Sequence, residues 1–142
     1  MSFPTRQRTV LVTGAARRLG RDIAVGLARA GWQVAVHYRE SRDDAIETVA
    51  ACARLSVSSE AFDADFQDED AVRALLPRVI AHFGQLDAVV NNASLFEHDD
   101  IHSFSYASME AHLRSNAGAP LLLAQALHAP LSQRHAAGEA AA

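Results

Sequence analysis

Two glycines with a pair of arginines between them stand at Thr13-Gly14-Ala15-Ala16-Arg17-Arg18-Leu19-Gly20. A turn of this kind, opening a helix, can bind an anion. Its first amide N–H groups lack intrahelical partners, and the positive end of the helix dipole faces the same way. Gly14 permits a tight turn, and Gly20 permits close helix–strand packing or close backbone approach to a ligand. Arg17 and Arg18 oppose the dipole of the helix they open, a cost of about 0.3–1 kcal/mol each that a bound anion offsets. The alternative is an ordinary strand-to-helix turn with both arginines in solvent. The spacing departs from G-x-G-x-x-G and no G-K-[ST] follows, which argues against a P-loop for ATP or GTP.

A second group is His37-Tyr38-Arg39-Glu40-Ser41, which closes a short apolar run. In a dinucleotide-binding sheet this position meets the adenosine ribose, and an acidic residue there favours a free 2′-hydroxyl. Arg39 is instead a planar donor fork suited to a 2′-phosphate. Ser41 can add a hydroxyl donor, and Arg17 approaches from the first turn. Such charge-assisted hydrogen bonds contribute about 1.5–3 kcal/mol each. These residues favour NADP(H) over NAD(H), with Glu40 turned to solvent. The cluster His98, Asp99, Asp100 and His102 reads as a solvated polar loop, because nothing fixes three or four ligands in metal geometry. Cys52 reads as a small core residue. The acidic run Asp63, Asp65, Asp68, Glu69 and Asp70 reads mostly as a helix cap with favourable charge bias.

The elements that must position these residues alternate. Arg8–Thr13 is a β-branched, apolar run, expected as a buried strand. Leu19–Ala30 is expected as a helix with Leu19, Ile23, Leu27 and Ala30 on one face. Gln33–Tyr38 is a second strand. Asp43–Leu55 is a second helix with Ala45, Ile46, Val49 and Ala53 inward. Ser59–Asp65 is a third strand. Asp68–Phe83 carries Val72, Leu75, Leu76, Val79, Ile80 and Phe83 on one stripe, with Pro77 expected to bend it and Gly84 to end it. Leu86–Asn91 is a fourth strand and Ser94–Phe104 a loop. Ser108 to about His128 is a fourth helix, interrupted near Gly118 and Pro120. Alternation of this kind predicts parallel strands with right-handed crossovers: an α/β, doubly wound parallel sheet of the Rossmann type in one domain. Residues 132–142 are expected to form a flexible tail.

Composition bounds the function. The chain has 142 residues, 49% hydrophobic and 21% charged, so it can bury a core. No apolar run is long enough to span a bilayer, and Met1–Arg8 lacks the apolar centre of a signal peptide, so a cytoplasmic setting without a membrane partner is expected. A net charge of -4 argues against a nucleic-acid partner. All 13 basic residues are arginine; the chain contains no lysine.

From about Arg8 to His128 the chain resembles the N-terminal part of the short-chain dehydrogenases/reductases. Thr13, Gly14 and Gly20 match the family's T-G-x-x-x-G-x-G turn, with Arg18 where the middle glycine is usual. Asp65 matches an adenine-contacting aspartate. Asn91-Asn92-Ala93-Ser94 is similar to the family's N-N-A-G strand end, with Ser94 in place of glycine. Gly14-Ala15-Ala16-Arg17-Arg18-Leu19-Gly20, His37-Tyr38, and the Asn-Asn-Ala-Ser run followed by Phe96 resemble the pteridine-reductase branch. The resemblance implies cofactor contacts from Gly14, Arg17, Arg18, Leu19, Gly20, Tyr38, Arg39, Ser41, Asp65, Phe66, Asn92, Ala93 and Ser94. It implies pterin contacts from Ser94 and Phe96, the Phe96 ring stacking on the pterin. From the residues alone, Phe96 could instead fill a core gap and Ser94 cap the strand end. Asn116 matches the helix asparagine of the catalytic tetrad, which helps hold a water and proton relay.

The resemblance also implies a Tyr-x-x-x-Lys pair, the lysine lowering the tyrosine pKa. Arg42 stands four residues after Tyr38, and Glu110 four after Tyr106. Arginine does not replace lysine in size or hydration. The chain is therefore expected to be the cofactor-binding part of a longer, homo-oligomeric NADPH-dependent reductase, with the sheet stopping after the fourth strand and fourth helix. By itself it is expected to be inactive and, with its fourth strand an open edge, poorly stable as a monomer. The competing expectations are a non-catalytic dinucleotide-binding fragment and a scaffold module that kept the fold and lost the chemistry.

Overall fold

Val10, Val12, Val34 and Val36 face one side of a sheet, Leu11 and Ala35 face the other, and all six are buried. Burial on both faces is what a parallel sheet under crossover helices requires. The computed structural model describes residues 6–55 and 57–138. Its strands are β1 (Thr9–Val12), β2 (Gln33–Tyr38), β3 (Ser59–Asp63) and β4 (Ala88–Val90). They are parallel and lie in the order β3-β2-β1-β4. Among the described residues β4 pairs only with β1, so its outer edge is open.

Helices α1 (Arg18–Arg29) and α2 (Arg42–Ala53) cover the valine face. The inner face of α1 is small, with Gly20, Ala24 and Ala28 buried. Of the face expected inward, Ile23 and Leu27 pack on that core, while Leu19 is 65% exposed and Ala30, at the end of the helix, is also exposed. On α2 the buried stripe is Ala45, Thr48 and Cys52, while Ile46, expected inward, is half exposed and Ala53 is exposed. The helix can present Thr48 to the core because its hydroxyl lies 3.1 Å from both Ala16 O and Asp44 O.

Helix α3 (Glu69–Phe83) follows its sequence pattern, with Val72, Leu75, Leu76 and Val79 buried. The Asp68 side chain accepts from the amides of Asp70 and Ala71, and Gly84 ends the helix at φ +83°. The last long run of helix comprises α4 (Tyr106–Leu113), a π-helical turn (Arg114–Gly118) and α5 (Ala119–Ala136). The interruption expected near Gly118 and Pro120 is this π turn: Pro120 has no N–H for the Asn116 carbonyl, and the widened turn absorbs the mismatch. Leu123 and Ala119 of α5 pack with α3 against the second face of the sheet.

The tail expected from Ser132 is helical as far as Ala136. Arg134 fixes it there, donating to Leu86 O at 3.0 Å and to the fully buried Asp87 carboxylate. Arg6 and the Thr9 amide donate to the same carboxylate. The remainder of that expected tail, 139–142, lies outside the described residues, as do residues 1–5 of the N-terminal segment.

Candidate functional site

The carboxyl ends of the parallel strands open into a cleft of about 630 Å³. This is where open α/β sheets offer backbone amides and helix N-termini to a ligand. The glycines of the first turn have no room for a side chain. At Gly14, where φ is +62°, a Cβ would lie 2.9 Å from Ala93 Cα. At Gly20 it would lie 2.1 Å from Gly14 O and 2.5 Å from Asn92 Nδ2. The turn is thus folded onto the start of α1 and pressed against the end of β4.

A polar staple holds that contact. Asn92 Nδ2 donates to Thr13 O at 3.0 Å and to Gly14 O at 3.1 Å. Thr13 Oγ1 accepts from the amides of Asn92 and Ala93 at 3.0 and 2.9 Å. Arg18 adopts φ +51°, a conformation that favours glycine, at the position where the resembling family usually carries one.

Two of the arginines that line the cleft, Arg17 and Arg39, already have partners. Arg17 pairs with Asp44 of α2, and Arg39 lies 3.7 Å from Asp65 and 3.5 Å from Glu40. These pairs are exposed and weak, so an arriving anion competes with them at little cost. Glu40 faces solvent as expected, its side chain 80% exposed.

Of the residues expected at the cofactor, Gly14, Arg17, Arg18, Leu19, Gly20, Arg39, Asp65, Phe66, Asn92, Ala93 and Ser94 line the cleft. Tyr38 and Ser41 do not. The strand alternation turns Tyr38 onto the α1–α2 core, opposite to His37, and Ser41 occupies the N-cap position of α2. Phe96 is also outside the lining; its ring is in solvent, 82% exposed, so it fills no core gap. Asn116 sits beside the cleft in the π turn, clamping Leu95. Its Oδ1 accepts from Leu95 N at 2.7 Å, and its Nδ2 donates to Leu95 O at 2.9 Å. In the loop beyond, Asp100 accepts from the amides of His102 and Ser103 and from the Ser103 hydroxyl, bonds that lower its carboxyl pKa. Among the described residues no three or more His, Cys, Asp or Glu side chains are grouped so that they could hold a metal ion.

Sequence reasoning passed over His37, Ala64, Leu95 and Ser115 as lining residues. His37 carried a signal: it is the one ionisable residue within the buried part of β2, only 3% exposed. Its ring stacks on Phe66 with centroids 4.3 Å apart. Burial lowers its pKa, outweighing the Ala64 carbonyl and the Asp63 charge, which raise it. The other three are chain neighbours of expected residues and have no side-chain chemistry that marks them, apart from the Ser115 hydroxyl.

The short chain dehydrogenase pattern matches residues 8–139. A 3-oxoacyl-[acyl-carrier-protein] reductase of Staphylococcus aureus is 42% identical over 88 residues, which cover 62% of this chain and 36% of that protein. A short chain dehydrogenase of Burkholderia cenocepacia, solved with NADP, superimposes with a TM-score of 0.83 at 35% identity, covering 87% of this chain and 50% of that one. An alternative dihydrofolate reductase of Brucella suis, also solved with NADP, superimposes with a TM-score of 0.81 at 31% identity, covering 87% of this chain and 51% of that one. The chain therefore spans about a third of the length of the first relative and about half of those solved chains. With its parallel sheet, its glycine turn and a family match over nearly all its residues, the chain belongs to the short-chain dehydrogenase family.

Proposed function

We propose that the cleft binds NADP(H) and that the chain is the cofactor-binding part of an NADPH-dependent reductase. The observation that carries this reading is the space denied to side chains at Gly14 and Gly20, beside a helix start flanked by arginines. The residues fit a dinucleotide. The free amides and dipole of the first turn of α1 suit the pyrophosphate. Arg39 and Arg17 suit the 2′-phosphate, and Asp65 and Phe66 the adenine end. Asn92, Ala93 and Ser94 suit the nicotinamide end. When bound, the nicotinamide supplies a hydride to the substrate. Asn116 acts through Leu95, holding the Ser94–Leu95 segment in place.

For the substrate we propose a pterin or dihydropterin. Support comes from the Arg17-Arg18 turn, Ser94 in the cleft, the exposed Phe96 ring available for stacking, and the likeness to the Brucella reductase. The 142-residue chain contains no lysine to complete a Tyr-x-x-x-Lys pair, which favours cofactor binding without turnover by this chain alone.

Calorimetric titration with NADPH and NADH tests the cofactor. Arg39→Asp is expected to weaken NADPH by about tenfold or more while sparing NADH. An unchanged NADPH affinity overturns the role of Arg39. A dihydropterin and a 3-oxoacyl thioester offered in parallel to the parent enzyme test the substrate. Preference for the thioester overturns the pterin reading.

A further inference from the structure

His37 is bonded to the phosphate turn twice. Its Nδ1 lies 3.0 Å from Gly14 N, and its carbonyl accepts from Ala15 N at 2.9 Å. On the far side of the ring, Nε2 lies 3.0 Å from Ala64 O, just beyond β3. The chemistry fixes the tautomer. A backbone N–H can only donate and a carbonyl can only accept, so Nδ1 is the bare nitrogen and Nε2 carries the hydrogen. An imidazolium would set one N–H against another at Gly14.

We propose that His37 is the positioning residue of the dinucleotide site: as a neutral imidazole it holds the Gly14–Ala15 arc in its binding shape. This rests on the cofactor reading above. Because His37 takes the first two amides of the arc, the anion is left with those at the start of α1. The Phe66 stack and the Ala64 bond keep the ring from turning away. The charged groups around it are Asp63 on β3, Asp65 and Arg39 at the cleft, and Arg17 and Arg18 on the turn itself.

The experiment separates the two ring nitrogens. In His37→Asn the amide oxygen falls near Nδ1 and can accept from Gly14. In His37→Gln the amide nitrogen falls near Nε2 and can donate to Ala64. His37→Leu does neither. NADP+ titration of the protein at neutral pH is expected to give affinity within about threefold of the parent for Asn, and losses of about tenfold or more for Gln and Leu. Wild-type affinity in the leucine variant, or rescue by glutamine and not by asparagine, overturns the proposal. Through-hydrogen-bond NMR coupling between the Gly14 amide and His37 Nδ1 is the second measurement, independent of ligand and of how the variants fold. Its absence overturns the proposal. Absence of NADP+ binding with that coupling present overturns the cofactor reading, and with it the link from His37 to binding.

Discussion

Arg18 at φ +51° holds a conformation that costs a non-glycine residue about 1–2 kcal/mol. The residue is also a cation at a positive helix end, so both its backbone and its charge are unfavourable without an anion. Arg18→Gly is expected to raise stability to urea by about 1 kcal/mol and to weaken NADP+ binding. Urea unfolding and calorimetric titration check the two effects separately. The arginine pair is plain in the sequence. Its strain is not, because nothing local distinguishes a left-handed arginine from one on the first helical turn. Glycine at position 20 is likewise plain, but the reasons it must be glycine are the folded turn, which sets Gly14 O 2.1 Å from where a Cβ would lie, and Asn92, seventy-two positions on, at 2.5 Å.

At the scale of elements, α3 could be read from its own residues, since stripe, cap and stop are all local. Helices α1 and α2 could be read only in part: Ile23, Leu27, Ala45 and Val49 pack on the core as expected, whereas Leu19, Ala30, Ile46 and Ala53 are exposed. Their inward stripes are built from small or polar residues, Gly20-Ala24-Ala28 and Ala45-Thr48-Cys52, against a sheet lying close beneath. Hydrophobic periodicity points to the larger side chains, and here some of those are outside. The π turn joins two parts of the site by letting Asn116 face Leu95. Asn116→Ala is expected to speed hydrogen exchange at the Leu95 amide by about tenfold, corresponding to the loss of roughly one hydrogen bond. Exchange at the buried amides of β1 is expected to stay unchanged. Exchange mass spectrometry reads both.

Across the whole molecule, Asp87 ties the ends of the described chain together. Its buried carboxylate is met by Arg6, Arg134 and the Thr9 amide. Asp87→Asn removes the charge that holds both guanidinium groups. It is expected to cost about 3 kcal/mol, measured by urea unfolding. Acid stability follows from His37. Its native pKa lies below the ordinary 6.5, so below that pH the unfolded chain takes up a proton that the folded chain refuses. The stabilisation is complete above pH 6.5 and falls away as pH drops, by at most about 1.4 kcal/mol per pH unit from this group. His37→Asn is expected to lose that slope. Asp63, hydrogen-bonded by Arg78, has a lowered pKa, and its contribution is lost only on going down through the carboxylate range.

The sequence by itself determined the alternation of elements, the parallel sheet it implies and the glycine turn, and its resemblance to the family supplied most of the cleft lining. The first three depend on residues adjacent in the chain, or on a periodicity that a single element displays. Tertiary structure alone decided the partners: His37 on Gly14 and Ala64, Thr48 on Ala16, Asn92 on the first turn, Asn116 on Leu95 and Arg134 on Asp87. These bonds join residues more than twenty positions apart. A polar side chain's partner is set by which strand ends the fold brings together, and no local pattern records it.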